Sequence, residues 1–243
     1  MNSCKKCNES FNGNYCPNCG QPAQLKRIDR HYFIQEIASA FNAEKGMLYT
    51  IKRMLTSPGN SVRQYITEDR SQYVKPITFL FTTSVIYAFV NHIFHVGIEN
   101  YYFNSDVLKQ STTSLIFGWL MNNRGYAGII IGFLMTFWIK LFYRKSGYNF
   151  YEIFVLLCFV SGISTLFLSV VFLLQVLTPT HWNLIKLLTP IAVVYHIWSV
   201  GQFFDAKKVV SYIKAFLSFI FGATILSFIV TLIGFLIDII IKH

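Results

Sequence analysis

The residues with the clearest chemistry are four cysteines in two pairs, Cys4-Lys5-Lys6-Cys7 and Cys16-Pro17-Asn18-Cys19, separated by eight residues. A C-x-x-C turn aims both of its sulfurs at one point, so two such knuckles can surround a single ion with four thiolates. Gly20 supplies the positive-φ turn after the second pair, and the stretch Asn8 to Tyr15 is long enough for a hairpin with Gly13 at its tip. A module this small cannot be held by apolar burial, whereas a bound structural zinc supplies on the order of 10–16 kcal/mol at neutral pH. Four thiolates leave no open coordination position, so Cys4, Cys7, Cys16 and Cys19 are expected to hold a structural Zn²⁺ and not a catalytic one. Rubredoxin-like iron is the alternative metal, and disulfide or redox chemistry the alternative use of such pairs. Within the module only Lys5 and Lys6 are basic, and no helix is long enough to enter a groove. Contact with a protein, or capping of the chain end, therefore ranks above nucleic acid.

A second set of reactive side chains lies in strongly apolar sequence, where ionisable groups are the default functional candidates. His92 and His95 are spaced i, i+3, and Tyr195, His196, Ser199 and Gln202 follow Pro190, whose ring frees a backbone carbonyl. Tyr195, His196, Ser199, Gln202 and His92 form the candidate intramembrane polar site. By helical rise His196 is about 18 Å from the outer end of its span and His92 only about 6–8 Å, so the two do not share a metal. Hydrogen-bonded packing is the ordinary use of such histidines. Glu152, Asp205 and Asp238 map to span ends, where a carboxylate reaches water. The absence of an acid near a bilayer centre weakens an ion-coupled transporter. The chain has no H-E-x-x-H, Walker glycine loop or G-x-S-x-G, and an enzyme is not expected. Cys158 stands alone and reads as an apolar filler.

These side chains must be positioned by membrane helices. Of 243 residues, 53% are hydrophobic and 17% aromatic, and 13% are charged where soluble domains carry roughly 25%. Pro76 to Gly97 contains no Lys, Arg, Asp or Glu and is long enough to cross a hydrocarbon layer of ~30 Å. Further spans are expected at about 127–143, 150–178, 184–204 and 212–241, the third and fifth being long enough to tilt or project. Leu115 to Met121 is too short to cross and reads as an external interfacial helix around Trp119. Gly128-x-x-x-Gly132 and Ser218-x-x-x-Gly222 are small-residue faces for close helix packing. The fold class is an all-α integral membrane bundle of about five spans (76–243), with a small zinc ribbon (1–22) and amphipathic interfacial helices (23–75) before it.

Charge sets the expected orientation. Residues 1–75 carry eleven Lys and Arg and the loops Lys140–Lys145 and Lys207–Lys214 three each, against four on the other side. Seventeen against four places the N-terminus in the cytoplasm and the C-terminus outside. A reducing cytoplasm also keeps the thiols available for metal. The net charge of +10 then reflects basic loops and anionic lipid as a partner, with nucleic acid disfavoured. No apolar h-region follows Met1, so no cleavable signal peptide is expected.

Between ribbon and bundle, Asp29 can cap a helix through His31 to Phe41 with Phe33, Ile34, Ile37 and Phe41 on one face. A second helix is expected from Glu44 to Leu55 with Met47, Leu48, Ile51, Met54 and Leu55 on one side. Ser57 to Asn60 reads as a turn, and a short third helix carries Val62, Tyr65 and Ile66. Such helices suit the bilayer surface or a seat on the protein itself. The steps Cys16-Pro17-Asn18-Cys19-Gly20-Gln21, Lys45-Gly46-Met47-Leu48-Tyr49-Thr50, Ser57-Pro58-Gly59, Tyr65-Ile66, Arg70 and Tyr73-Val74-Lys75-Pro76 resemble an uncharacterised bacterial membrane family. That family is a domain of unknown function with an N-terminal zinc ribbon; the resemblance implies fold and inner-membrane location and brings no catalytic residues. The five-span plan also looks broadly like that of the Yip1-type membrane organisers. The functional expectation is a non-enzymatic membrane protein whose ribbon and surface helices position an unidentified protein partner at the bilayer. A permease or lipid and small-molecule export component using the polar residues around His196 is the alternative, a membrane-bound nucleic-acid regulator a third reading, and a homo-oligomer is compatible with all three.

Overall fold

The computed structural model describes residues 2–23, 29, 46–94, 111–178 and 184–242. The expected helix over His31 to Phe41 and the residue His95 lie outside these. A two-stranded antiparallel ribbon comes first, β1 (Asn2–Ser3) pairing with β2 (Ser10–Phe11). Eight α-helices follow among the described residues: α1 (Met47–Thr56), α2 (Pro58–Thr67), α3 (Pro76–Phe94), α4 (Thr112–Asn122), α5 (Arg124–Phe142), α6 (Phe150–Leu177), α7 (Leu184–Asp205) and α8 (Val209–Lys242).

Helices α3, α5, α6, α7 and α8 are each long and apolar enough to cross a membrane. The bundle is built around α6, which packs on α3, α5 and α7 and is mostly buried. Its neighbours bury one stripe and expose the other: Phe89 on α3, Phe133 and Phe137 on α5 and Phe228 on α8 are more than half exposed. An apolar outer surface of this kind is stable in hydrocarbon and not in water. The expected small-residue faces are close contacts. A Cβ on Gly222 of α8 would stand 2.7 Å from Met135 of α5, and one on Gly128 would stand 3.2 Å from Leu80 of α3.

Helices α3 and α6 run in the same direction but out of step. Phe79 lies over Gly162, and the Tyr87 and Phe172 rings meet at a tilt with centroids 5.4 Å apart. Pro76 is therefore level with about residue 159, and α6 begins roughly 13 Å before α3 does, by helical rise. The start of α6 is held by a capping box. Asn149 accepts from the Glu152 N–H at 2.8 Å, and the Glu152 carboxylate accepts from the Asn149 N–H at 2.7 Å. Glu152 is thus buried, 3% exposed, and not the water-facing carboxylate that its place at a span end suggests.

The space under α3 is filled by α1 and α2, a hairpin with its bend at Ser57. The expected turn over Ser57 to Asn60 is shorter in fact, because Pro58 fits the first position of α2, where no N–H is needed. Val62, Tyr65 and Ile66, the residues of the expected third helix, are buried in the main core together with Met54 of α1. The face of α1 differs from its expectation. Met54 and Thr50 are fully buried, whereas Leu48 and Leu55 are 83% and 55% exposed. Thr50 takes the inner position because its Oγ1 accepts the Val74 N–H at 3.0 Å, a backbone group that would otherwise be buried without an acceptor.

On the opposite side α4 packs along the last turns of α8. A Cβ on Gly234 would meet Thr113, and Asp238 Oδ1 accepts from both the backbone N–H and the hydroxyl of Thr112. Leu120, Ala127 and Val230 then close a small cluster. The short helix around Trp119 exists as expected, but it is a strut against α8 joined to α5 through Asn123 alone.

Candidate metal centre

Both cysteine knuckles follow one hydrogen-bond plan. In the first, the Cys4 N–H donates to Glu9 O and the Asn8 N–H to Cys4 O; in the second, the Cys16 N–H donates to Gln21 O and the Gly20 N–H to Cys16 O. Each places a left-handed residue just after its second cysteine, Asn8 at φ 59° and Gly20 at φ 70°. Asn and Gly are the residues that enter this region at least cost.

The four ligand sulfurs lie within 4.8 Å of one another, with Cys4–Cys19 at 3.4 Å and Cys7–Cys16 and Cys7–Cys19 at 3.6 Å. A tetrahedral tetrathiolate with metal–sulfur bonds of ~2.3 Å has sulfurs roughly 3.8 Å apart. The set therefore fits one metal ion, and none of the four is in a disulfide. The backbone N–H groups of Cys7 and Lys6 stabilise the Cys4 thiolate and bring its pKa down to about 6. At Cys19 the Gln21 N–H acts in the same sense, but burial and the three neighbouring sulfurs outweigh it and push the pKa up to about 12. Four sulfurs this close cannot all ionise together without a cation between them.

The module sits on the turn between α2 and α3. Lys6 Nζ donates to Ser71 Oγ at 2.7 Å, Lys5 Nζ to Thr67 O at 3.3 Å, and Gln21 Nε2 to Glu68 O at 2.5 Å. Lys5 thus meets the C-terminal carbonyl end of α2, where a helix favours cations, and Lys6 the turn that follows it.

The turn in turn belongs to the hairpin, which is seated on α6 and α7. Rings run from Tyr49 to Tyr73 (5.2 Å), Tyr73 to Tyr65 (5.9 Å), Tyr65 to Phe159 (5.4 Å) and Phe159 to Phe79 (5.7 Å). Gly59 lies on the backbone of α7: a Cβ there would be 2.3 Å from Phe203 N, and the Gly59 N–H donates to Gln202 Oε1 at 2.8 Å. Arg70 closes α2 by donating to Tyr65 O and Ile66 O, both at 3.2 Å.

The candidate intramembrane residues are divided by helical geometry. At 100° per residue Tyr195, Ser199 and Gln202 share a face, and His196 is a quarter turn away. Tyr195 Oη donates to Met54 O at 3.0 Å, Ser199 Oγ to Tyr195 O at 2.7 Å, and Gln202 holds Gly59. That face seats the hairpin. His196 instead lines a cavity among α5, α6, α7 and α8. His92 is exposed on the last turn of α3 and does not line that cavity. Cys158 is buried beside Ile77, Leu80 and Phe154, the filler role expected. Asp205 pairs with Lys208 at 2.9 Å. Arg124, read from sequence only as an external charge, proves to be part of the bundle wall; its place right after the Asn122-Asn123 break was the available signal.

Comparison with known proteins places a family model described as a protein of unknown function (DUF3667) on residues 44–88. The match covers α1, α2 and the first part of α3, and the cysteine module lies outside it. The steps Gly46 to Thr50, Ser57 to Gly59, Tyr65, Arg70 and Tyr73 within it are the residues that form and seat the hairpin. No curated protein and no solved structure matches the chain, so the likeness to Yip1-type proteins gains no support.

Proposed function

We propose that this is a non-enzymatic multi-pass protein of the bacterial inner membrane whose cysteine module binds one structural Zn²⁺ and, with the α1–α2 hairpin, forms a cytoplasmic platform for a protein partner. The observation that carries the reading is the closed four-sulfur cluster resting on the α2–α3 turn, a surface that one metal ion would stiffen and that is joined to the bundle. Zinc fits because thiolates alone make up the set and the site leaves no position for a substrate. The orientation follows the charges: the cysteine module, Lys140–Lys145 and Lys207–Lys214 belong to the same end of the bundle by helix order, and that end carries the basic excess. The exposed Leu48, Lys52 and Leu55 on α1 suit the boundary with anionic lipid.

Metal analysis of the purified chain is expected to give one zinc per molecule and no iron. Partner capture from cells is expected to differ between the native chain and the double variant Cys16→Ser, Cys19→Ser. Identical partner sets would remove the platform, and metal-free protein with oxidised sulfurs would remove the zinc. A reporter at the N-terminus active only outside the cytoplasm would reverse the orientation.

A further inference from the structure

Two nitrogen atoms of the bundle are buried without a hydrogen-bond partner, Arg124 Nε and His196 Nε2. Both residues line one cavity of about 200 Å³ between α5, α6, α7 and α8. Its walls are mixed. Ile131, Leu157 and Val193 are apolar, while Ser161, Ser164 and Thr165 bring hydroxyls, and among the described residues no Asp or Glu lines it. His196 is 8% exposed, so its free nitrogen cannot be satisfied by bulk water. An orphaned nitrogen in such surroundings is costly unless something binds it.

Arg124 also lines a second space of about 290 Å³, a groove between α3 and α5. This groove is lined by Phe81, Val85, Ala88 and Ile129, which are exposed on the outer face of the bundle, where lipid chains lie. At its end the guanidinium carbon stands 5.8 Å from the centre of the Tyr87 ring, and Asn122 and Asn123 add amides. An apolar slot open to the bilayer thus leads to a cation, and beyond the cation to a polar chamber holding a free imidazole nitrogen.

We infer that Arg124 and the groove between α3 and α5 form a binding site for an anionic amphiphile, a phosphate or carboxylate head on a hydrocarbon chain, taken sideways from the membrane. The head pairs with the Arg124 guanidinium, and the chain lies in the groove along Phe81 and Val85; His196, about 16 Å deeper by helical rise, stands beyond the reach of that head. The charge of the site selects an anion, and a missing carboxylate in the lining leaves Arg124 available to it. Gly128 and Gly132 line the chamber, where larger side chains would fill it.

The test uses the full chain in a non-ionic detergent, mixed separately with phosphatidylglycerol, oleate, phosphatidylcholine or inorganic phosphate and read by native mass spectrometry. At least one of the two anionic amphiphiles is expected to be retained at least tenfold better than phosphatidylcholine, and which of them is held identifies the head. Arg124→Gln should abolish the preference, Arg124→Lys should keep most of it, and His196→Phe should leave retention unchanged. Ala88→Trp plugs the exposed groove without touching the charge and should also lower retention several-fold, which keeps the test decisive if Arg124→Gln does not fold. Equal retention of phosphatidylcholine, or retention unchanged in Arg124→Gln and Ala88→Trp, would overturn the site. Inorganic phosphate bound as tightly as the amphiphiles would overturn uptake from the bilayer.

Discussion

The cysteine module and the hairpin beside it are both small, polar-rich and N-terminal, yet they are held by opposite means. In the module the buried apolar set is little more than Cys4, Phe11 and Cys16, and every ligand lies within sixteen residues of chain. A metal in the four-sulfur site would supply its order, because burial of this extent cannot offset the entropy of fixing twenty residues. The hairpin has no local closure of that kind. Its rings and backbone are fixed by Phe159, Tyr195 and Gln202, which lie far away in sequence. One region is closed by its own local ligands and loosely attached; the other is firmly attached and has no closure of its own.

The strongest way to break this contrast is to take the metal away. Chelation, or the Cys16→Ser, Cys19→Ser pair, removes on the order of 10–16 kcal/mol of metal binding and should unfold residues 2–23. Limited proteolysis should then cut ahead of residue 46, while circular dichroism of the bundle stays as in the native chain; collapse of the bundle helices would show that the regions are not separate. Phe159→Ala tests the reverse. Phe159 is fully buried between Tyr65 and Phe79, and its truncation should cost about 3–5 kcal/mol in denaturant titration in micelles, with metal content still at one per chain. Gly59→Ala forces a methyl into the α7 backbone and should cost about 1–3 kcal/mol, with raised hydrogen exchange confined to α1 and α2. Lys5→Ala with Lys6→Ala removes only exposed contacts worth at most about 1 kcal/mol each. It should leave metal binding and stability alone and raise exchange only at Thr67 to Ser71.

The spans and the metal ligands were legible because each follows from composition or spacing that a single segment carries. Pro76, Phe150 and Leu184 open their helices where the apolar runs begin, and the two cysteine pairs converge as their turns require. What could not be read depends on partners elsewhere in the chain. Thr50 is inside and Leu48 outside because Val74 needs an acceptor, which hydropathy does not register. Glu152 is buried because Asn149 offers it a backbone N–H. The separation of His196 from Tyr195, Ser199 and Gln202 was available from the 100° helical step. Grouping those four by closeness in sequence concealed that three of them face the hairpin.

The distance between the hairpin and its seat also sets a timetable during synthesis. Met54 waits for Tyr195 across 141 residues and Gly59 for Gln202 across 143. At typical translation speeds that gap is on the order of ten seconds. Through that interval the knuckles can close as soon as their sixteen residues emerge, whereas Met54, Val62 and Tyr65 remain uncovered until α6 and α7 have been inserted. The segment made early is thus among the last to find its place, and the ribosome-bound chain carries an open apolar hairpin next to four cysteines that are already free to gather.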